Sequence, residues 1–349
     1  MQKQGVRNIL AISTTGIGNL ILYTPVLRVL RRDFPESHIT LLVASKTAAS
    51  LLAGCKEIDE IIIINKNKKS IYYWLRILKH IRKLRFDLVV TSFLDKSIKV
   101  ALFSWLTGAR LRVGYKNRFY GWLYSHQTPI IEKKHEIEYN LDLLRAIGLT
   151  VRRANEKVPF IYTTPLEEEL ANDLLLKNHV SHKDLLIGVH PGSGLSIGSA
   201  KRWSREKFAL LCDHILTIPK AKIVVFGGPE ERYAAEEMAK FMRKKPVILA
   251  GDTDIRMTAA LIKRSALFIS NDSGLMHLAT AVKTPVLAIF GPTLWWKNYP
   301  WGKGNIVLRK EMACSPCYNY QQIQCKTIKC LEMIKVEEAW QKVKEMLKQ

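Results

Sequence analysis

The chain has 349 residues, with 54 lysines and arginines against 31 aspartates and glutamates, a formal net charge of +23 at pH 7. That length suits two domains better than one, and 48% apolar residues supply a full core. The positive excess points to nucleic acid, anionic lipid or a polyanionic substrate, while no apolar run approaches the ~20 residues that span a bilayer. The opening MQKQGVRNILAIS runs straight into a strand-like segment without a signal-peptide pattern. The expectation is a cytoplasmic protein whose six cysteines stay reduced.

In chain order, hydrophobic periodicity predicts a strand over 9–13, a helix over 20–31, a strand over 38–44 and a short helix over 47–53. A strand over 61–64, a helix over 71–84, a strand over 87–91, a helix over 97–106 and an extended segment over 111–115 follow. Helices over 139–147 and 165–177 close this series. A second series runs strand 185–189, helix 205–216, strand 223–226, helix 230–242, strand 247–250 and helix 256–264. It ends in a strand–turn–helix–strand unit over 266–290 and an amphipathic helix over 336–347. Alternation of this kind specifies parallel sheets covered on both faces. The fold class is therefore α/β, with two doubly wound Rossmann-like domains, 1–165 and 166–349, facing each other across a cleft. The last helix is allowed to cross back to the first domain. Ligands are expected beyond the carboxyl ends of the strands.

Four turns carry chemistry. In SNDSGLMH, Asp272 and Ser273 are both good N-cap residues, and His277 lies one turn into the helix. Such a helix start presents free N–H groups and a positive dipole end to an anion, although an ordinary capped turn with a packed histidine has the same local pattern. The loop GVHPGSGLSIGSAKRW over 188–203 is rich in Gly and Ser and ends in Lys201 and Arg202, without the Gly-Lys-Ser/Thr of a nucleoside-triphosphate P-loop. In FGGPEE, Glu230 is suited either to a ribose hydroxyl or to the dipole of the helix it starts. The first turn, Thr14 to Asn19, has Gly16 and Gly18 but no third glycine, and no acidic residue ends the second strand. This departs from the dinucleotide fingerprint and leaves the glycines to admit a ligand close to the backbone.

The stretch 66–85 holds eight lysines and arginines and no acidic residue. At helical spacing Arg76, Lys79 and Lys83 share one face, and Tyr73, Ile77, Ile81 and Leu84 another. The apolar face is expected in the core and the basic face on anionic lipid. A second basic-aromatic stretch, 110–124, includes Arg112, Lys116 and Trp122. No nucleic-acid module is present, so no nucleic-acid partner is expected. Cys314, Cys317, Cys325 and Cys330 are spaced for a structural zinc or an iron–sulfur cluster, or pack as plain thiols; the second pair is not Cys-x-x-Cys.

Taken together, HPGSG…AKRWSREKFA, FGGPEE and SNDSGLMHLATAVKTPVLAIFGPT, with GIGNLILYTPVLRVLRRDFPESHITLLV near the start, resemble the heptosyltransferases of bacterial lipopolysaccharide core assembly. The resemblance implies the type B glycosyltransferase fold, with acceptor on the first domain and nucleotide-sugar on the second. It implies inverting transfer of a heptose from an ADP-heptose donor, without a required metal, to an anionic lipid-linked saccharide at the inner membrane face. It further implies that Lys201 neutralises the donor diphosphate, that Glu230, or Glu231 instead, lies near the ribose, and that Asp272 belongs to the donor site. Ser193, Gly194, Ser273, Gly274, Met276 and His277 are the accompanying donor contacts. Gly18, Asn19 and Lys96 are the acceptor contacts, and the charge of Arg112 in the 110–124 stretch places it on the acceptor path as well. One position departs from the family: Asn19 stands where an aspartate general base is expected, and an amide takes no proton in this range. Three options follow: a base from elsewhere, an Asn19 that only orients the acceptor, or a homologue that binds sugar or nucleotide without turnover.

Overall fold

The computed structural model describes residues 5–193, 198–317, 325 and 327–348, with backbone alone at 198 and 199. It divides into two compact units, one ending at Phe160 and the other beginning at Ile161. The Phe160 N–H donates to Thr24 Oγ1 at 3.1 Å, within the first unit. The Ile161 N–H donates to the Ala281 carbonyl at 3.2 Å, within the second. The sequence boundary at 165 lies further on because the stretch around Pro159 and Pro165 has no periodic signal of its own.

The first unit runs β1 (Asn8–Ile12), α1 (Ile17–Asp33), β2 (His38–Val43), α2 (Lys46–Leu51), β3 (Glu60–Ile63) and α3 (Ile71–Lys83). It continues with β4 (Leu88–Thr91), α4 (Ile98–Leu106), β5 (Leu111–Tyr115), β6 (His126–Thr128) and α5 (Glu136–Arg145). Its sheet is parallel, in the order β3-β2-β1-β4-β5-β6. Strands β1, β2 and β4 are buried along nearly their whole length, as parallel strands covered on both faces must be. Pro25 lies inside α1 and cannot donate to the Ile21 carbonyl one turn back; Thr24 Oγ1 donates to that oxygen instead, at 2.7 Å.

The second unit runs α6 (Pro165–Lys177), β7 (Leu185–His190), α7 (Arg205–Ile215), β8 (Ala221–Val225), α8 (Arg232–Lys240), β9 (Val247–Ile248) and α9 (Ile255–Arg264). Then come β10 (Leu267–Asn271), α10 (Gly274–Ala281), β11 (Val286–Ile289), α11 (Trp295–Asn298), β12 (Ile306–Leu308), α12 (Lys329–Glu332) and α13 (Val336–Leu347). Its sheet, β12-β11-β10-β7-β8-β9, repeats the winding of the first. Thr164 caps α6 in a capping box, and Ser204, Asp254 and Ser273 cap α7, α9 and α10 through their side-chain oxygens. The final helix does not leave this unit. Val336, Ala339 and Val343 are buried in the same core as Phe208, Leu211 and Ile215 of α7. Among the described residues no helix is long and apolar enough to cross a membrane.

Two strands escaped the sequence reading, β6 and β12. Each has three residues at a sheet edge, too short for a periodic signal.

Candidate functional site

In a doubly wound sheet the crevice for a ligand opens where the winding reverses. In the second unit that point lies between β7 and β10, which are direct neighbours. His190 ends β7 and Asn271 ends β10, and both side chains are buried. Asn271 ties three segments together. Its Oδ1 accepts the Trp203 N–H at 3.0 Å, and its Nδ2 donates to the carbonyls of Pro191 (2.8 Å) and Gly192 (3.1 Å). The loop after β7 is thus held at both ends against β10, and the 3-10 turn Gly198–Lys201 is delivered to the head of α10.

There Lys201 Nζ lies 3.2 Å from Asp272 Oδ2, with side chains only 15% and 7% exposed. The contact is an ion pair by distance but is not aligned as a hydrogen bond. Sequence alone offered both Asp272 and Ser273 as the cap. Ser273 takes that role, accepting the Met276 N–H at 3.3 Å, which leaves the Asp272 carboxylate to Lys201.

A buried relay connects this turn to the one after β8. His190 Nδ1 is 3.0 Å from Ser273 Oγ, and His190 Nε2 is 2.9 Å from Glu231 Oε2. That oxygen also accepts the Gly228 N–H at 3.1 Å. Glu231 is therefore committed inward, and its neighbour Glu230 is the exposed member of the pair. Gly192 makes room for this arrangement: a Cβ on it would lie 1.9 Å from Glu231 Oε1 and 2.7 Å from His190 Nε2, so a side chain there would displace the Glu231–His190 pair. Of the donor residues expected from sequence, Lys201, Asp272, Ser273, Gly274, Met276 and His277 come together around α10. Ser193, buried on the loop, accepts from Arg202 Nε at 3.3 Å. Gly194 lies outside the described residues.

His277 is buried, and among the described residues its Nδ1 has no hydrogen-bond partner. Burial, opposed by Asp272 and reinforced by Lys201, lowers its pKa to about 4. The imidazole is neutral near pH 7. Because the unfolded chain binds the proton first as pH falls, stability is lost between the ordinary histidine value and about 4. The whole shift corresponds to about 3 kcal/mol, at about 1.36 kcal/mol per pH unit. Denaturant titrations at pH 7 and 4.5 are expected to show this loss in the native chain and much less of it in His277→Asn.

The first unit has its reversal point between β1 and β4. Asn19 stands, half-buried, in the first turn of α1, with Gly18 beside it. The preceding loop is fixed by buried Asp95, which accepts the Thr14 N–H at 2.8 Å, the Ser92 hydroxyl at 2.7 Å and the Thr14 hydroxyl. Those bonds give Asp95 a structural task. Lys96 is exposed, its ammonium 4.0 Å from the centre of the Phe93 ring. Arg112 is taken up internally: Nε donates to the Leu123 carbonyl at 2.8 Å and NH1 to the Ala109 carbonyl. Its guanidinium is spent on these backbone carbonyls.

The four C-terminal cysteines line one pocket with Pro292 and Ile328. Burial and the neighbouring Cys325 and Cys314 thiols raise the pKa of Cys317, and burial pushes Cys330 up to about 11. Both stay protonated thiols near pH 7. Among the described residues no three His, Cys, Asp or Glu side chains are disposed to hold a metal ion.

Two like-wound parallel sheets, the second with a cationic helix start at its reversal point, define the type B glycosyltransferase fold. The chain belongs to glycosyltransferase family 9 (heptosyltransferase), whose model matches residues 74–328. It is similar to lipooligosaccharide heptosyltransferase 2 of Campylobacter jejuni, 26% identical over 95% of this chain and 96% of that one. It is also similar to lipopolysaccharide heptosyltransferase 3 of Escherichia coli K12, 29% identical over 81% and 82%. The solved structure of E. coli ADP-heptose lps heptosyltransferase II superposes with a TM-score of 0.78 at 21% identity, covering 97% of this chain and 98% of that one. The protein is a glycosyltransferase.

Proposed function

We propose that the enzyme transfers a heptose from ADP-heptose, with inversion and without a required metal, to a lipid-linked lipopolysaccharide core acceptor at the inner face of the cytoplasmic membrane. The observation that carries this is the Lys201–Asp272 pair at the open head of α10, beside the uncharged His277. Lys201 and the helix dipole meet the diphosphate and stabilise the charge it gains as the sugar leaves. Glu230 takes the ribose. Gly18, Asn19 and Lys96 receive the acceptor. Its hydroxyl oxygen attacks the anomeric carbon opposite the diphosphate, the bond to ADP breaks with the electron pair going to the diphosphate, and the hydroxyl proton passes to solvent water.

Asn19 cannot take that proton, and it orients the hydroxyl instead. The expected results are release of ADP from ADP-heptose that depends on a core-lipid acceptor, and a rate increase on the order of 10²-fold in Asn19→Asp, the lower range for a positioned general base. Equal turnover of another nucleotide-activated sugar would select a different donor within the same chemistry. The departure at Asn19 also supports a second reading, a homologue that binds saccharide or nucleotide without turnover. ADP-heptose binding with no release in either the native chain or Asn19→Asp would select it.

A further inference from the structure

The apolar face of α3 expected in the core is found there, and the helix carries further apolar surface outside. On α3, Trp74, Ile77, Ile81 and Leu84 pack inward. Its first turn and a half still turns Ile71, Tyr72 and Leu75 outward, with Tyr72 81% exposed. Further along the same helix Lys79, Arg82 and Lys83 are exposed. The adjacent helix α4 presents a second apolar row, Ile98, Leu102 and Trp105, at i, i+4 and i+7. The turn that packs on α4 adds Phe119 and Trp122, 71% and 70% exposed.

These rows sit in a field of one sign. Residues 61–131 contain fourteen lysines and arginines and two acidic residues. Neither acid faces out: Asp95 is buried, and half-buried Asp87 accepts the N–H groups of Arg7 and Asn8.

We propose that α3, α4 and the 119–122 turn form a membrane-docking face. Its aliphatic and aromatic side chains enter the headgroup boundary of a bilayer rich in anionic lipid, and its lysines and arginines meet the phosphates. Apolar side chains flanked by cations, with tryptophan among them, match a bilayer interface. A second copy would set the same positive charges face to face. Single-stranded nucleic acid stacks on aromatic rings, and Ile71, Leu75, Ile98 and Leu102 offer it no such surface.

The proposal rests on the reading of a membrane-held acceptor and not on the identity of the sugar. Its test is co-sedimentation of the full chain with vesicles of phosphatidylglycerol and phosphatidylcholine, against phosphatidylcholine alone. Binding is expected to need the anionic lipid and to weaken with added salt. It should fall at least about tenfold in Leu102→Glu/Trp105→Glu, with thermal melting and ADP affinity unchanged. Lys79→Glu/Lys83→Glu, on exposed helix positions, is the second variant should the first melt early, and the same loss is expected. Binding that ignores either pair in a folded protein overturns the proposal. So does self-association that the first pair abolishes, or retention on poly(U) RNA without vesicle binding. Vesicle binding that responds to both pairs in a protein that releases no ADP from ADP-heptose leaves the docking face standing and removes the transfer reaction.

Discussion

Lys201→Ala is expected to weaken ADP binding by about 1–3 kcal/mol, the range of a charge-assisted hydrogen bond. That is roughly 5- to 150-fold in Kd. It should also lower stability by about 3–5 kcal/mol, because Asp272, 7% exposed, is left as an uncompensated buried carboxylate. The two effects separate in a second variant. Lys201→Ala/Asp272→Asn removes the orphaned charge, so the denaturation midpoint should recover substantially while the calorimetric affinity for ADP stays low. Unchanged ADP affinity in Lys201→Ala would take this lysine out of the donor site and leave the pair a structural one.

The contrast between Lys201 and its supports shows what a linear sequence carries. The turns after β7, β8 and β10 are legible because glycine, serine and charge cluster where a strand pattern gives way to a helix pattern. The bonds that bring the turns together are not. His190 and Asn271 look unremarkable in sequence, since nothing local says that the end of β7 lies beside the end of β10. Once that neighbour relation exists, Asn271 is close enough to bind Pro191, Gly192 and Trp203, and His190 to span Ser273 and Glu231. The same limit applies to Glu230 and Glu231. They are adjacent acids at one helix start, and only packing decides that the second is consumed internally. It applies again to Arg112, whose charge suggested an acceptor and whose guanidinium serves two backbone carbonyls. Periodicity did place the inward face of α3 correctly. It left open how much apolar surface remains outside, which depends on where α4 lies.

Trp203→Ala is expected to be among the most destabilising single substitutions, about 3–5 kcal/mol, the range for removing a large buried aromatic. The side chain is 1% exposed and sits in the second unit's core, edge-on to Phe208 at 5.2 Å between ring centres. Its indole N–H donates to the Ile334 carbonyl at 3.1 Å, joining this segment to the lead-in of α13. Its backbone N–H is the donor that Asn271 receives. One residue thus fixes the stretch between the Lys201 turn and α7 to both the sheet and the C-terminal helix. Loss of the ring should therefore loosen Lys201, two positions upstream, and weaken ADP binding at temperatures where the protein is still folded. Trp203→Phe keeps most of the ring volume and gives up the indole donor, while Lys207 Nζ still donates to the Ile334 carbonyl at 2.9 Å. It should cost only about 1 kcal/mol, the net value of one hydrogen bond, and leave ADP affinity near that of the native chain. If Trp203→Ala melts early yet binds ADP normally while folded, the core and the donor turn are energetically separate, and the head of α10 suffices to position Lys201.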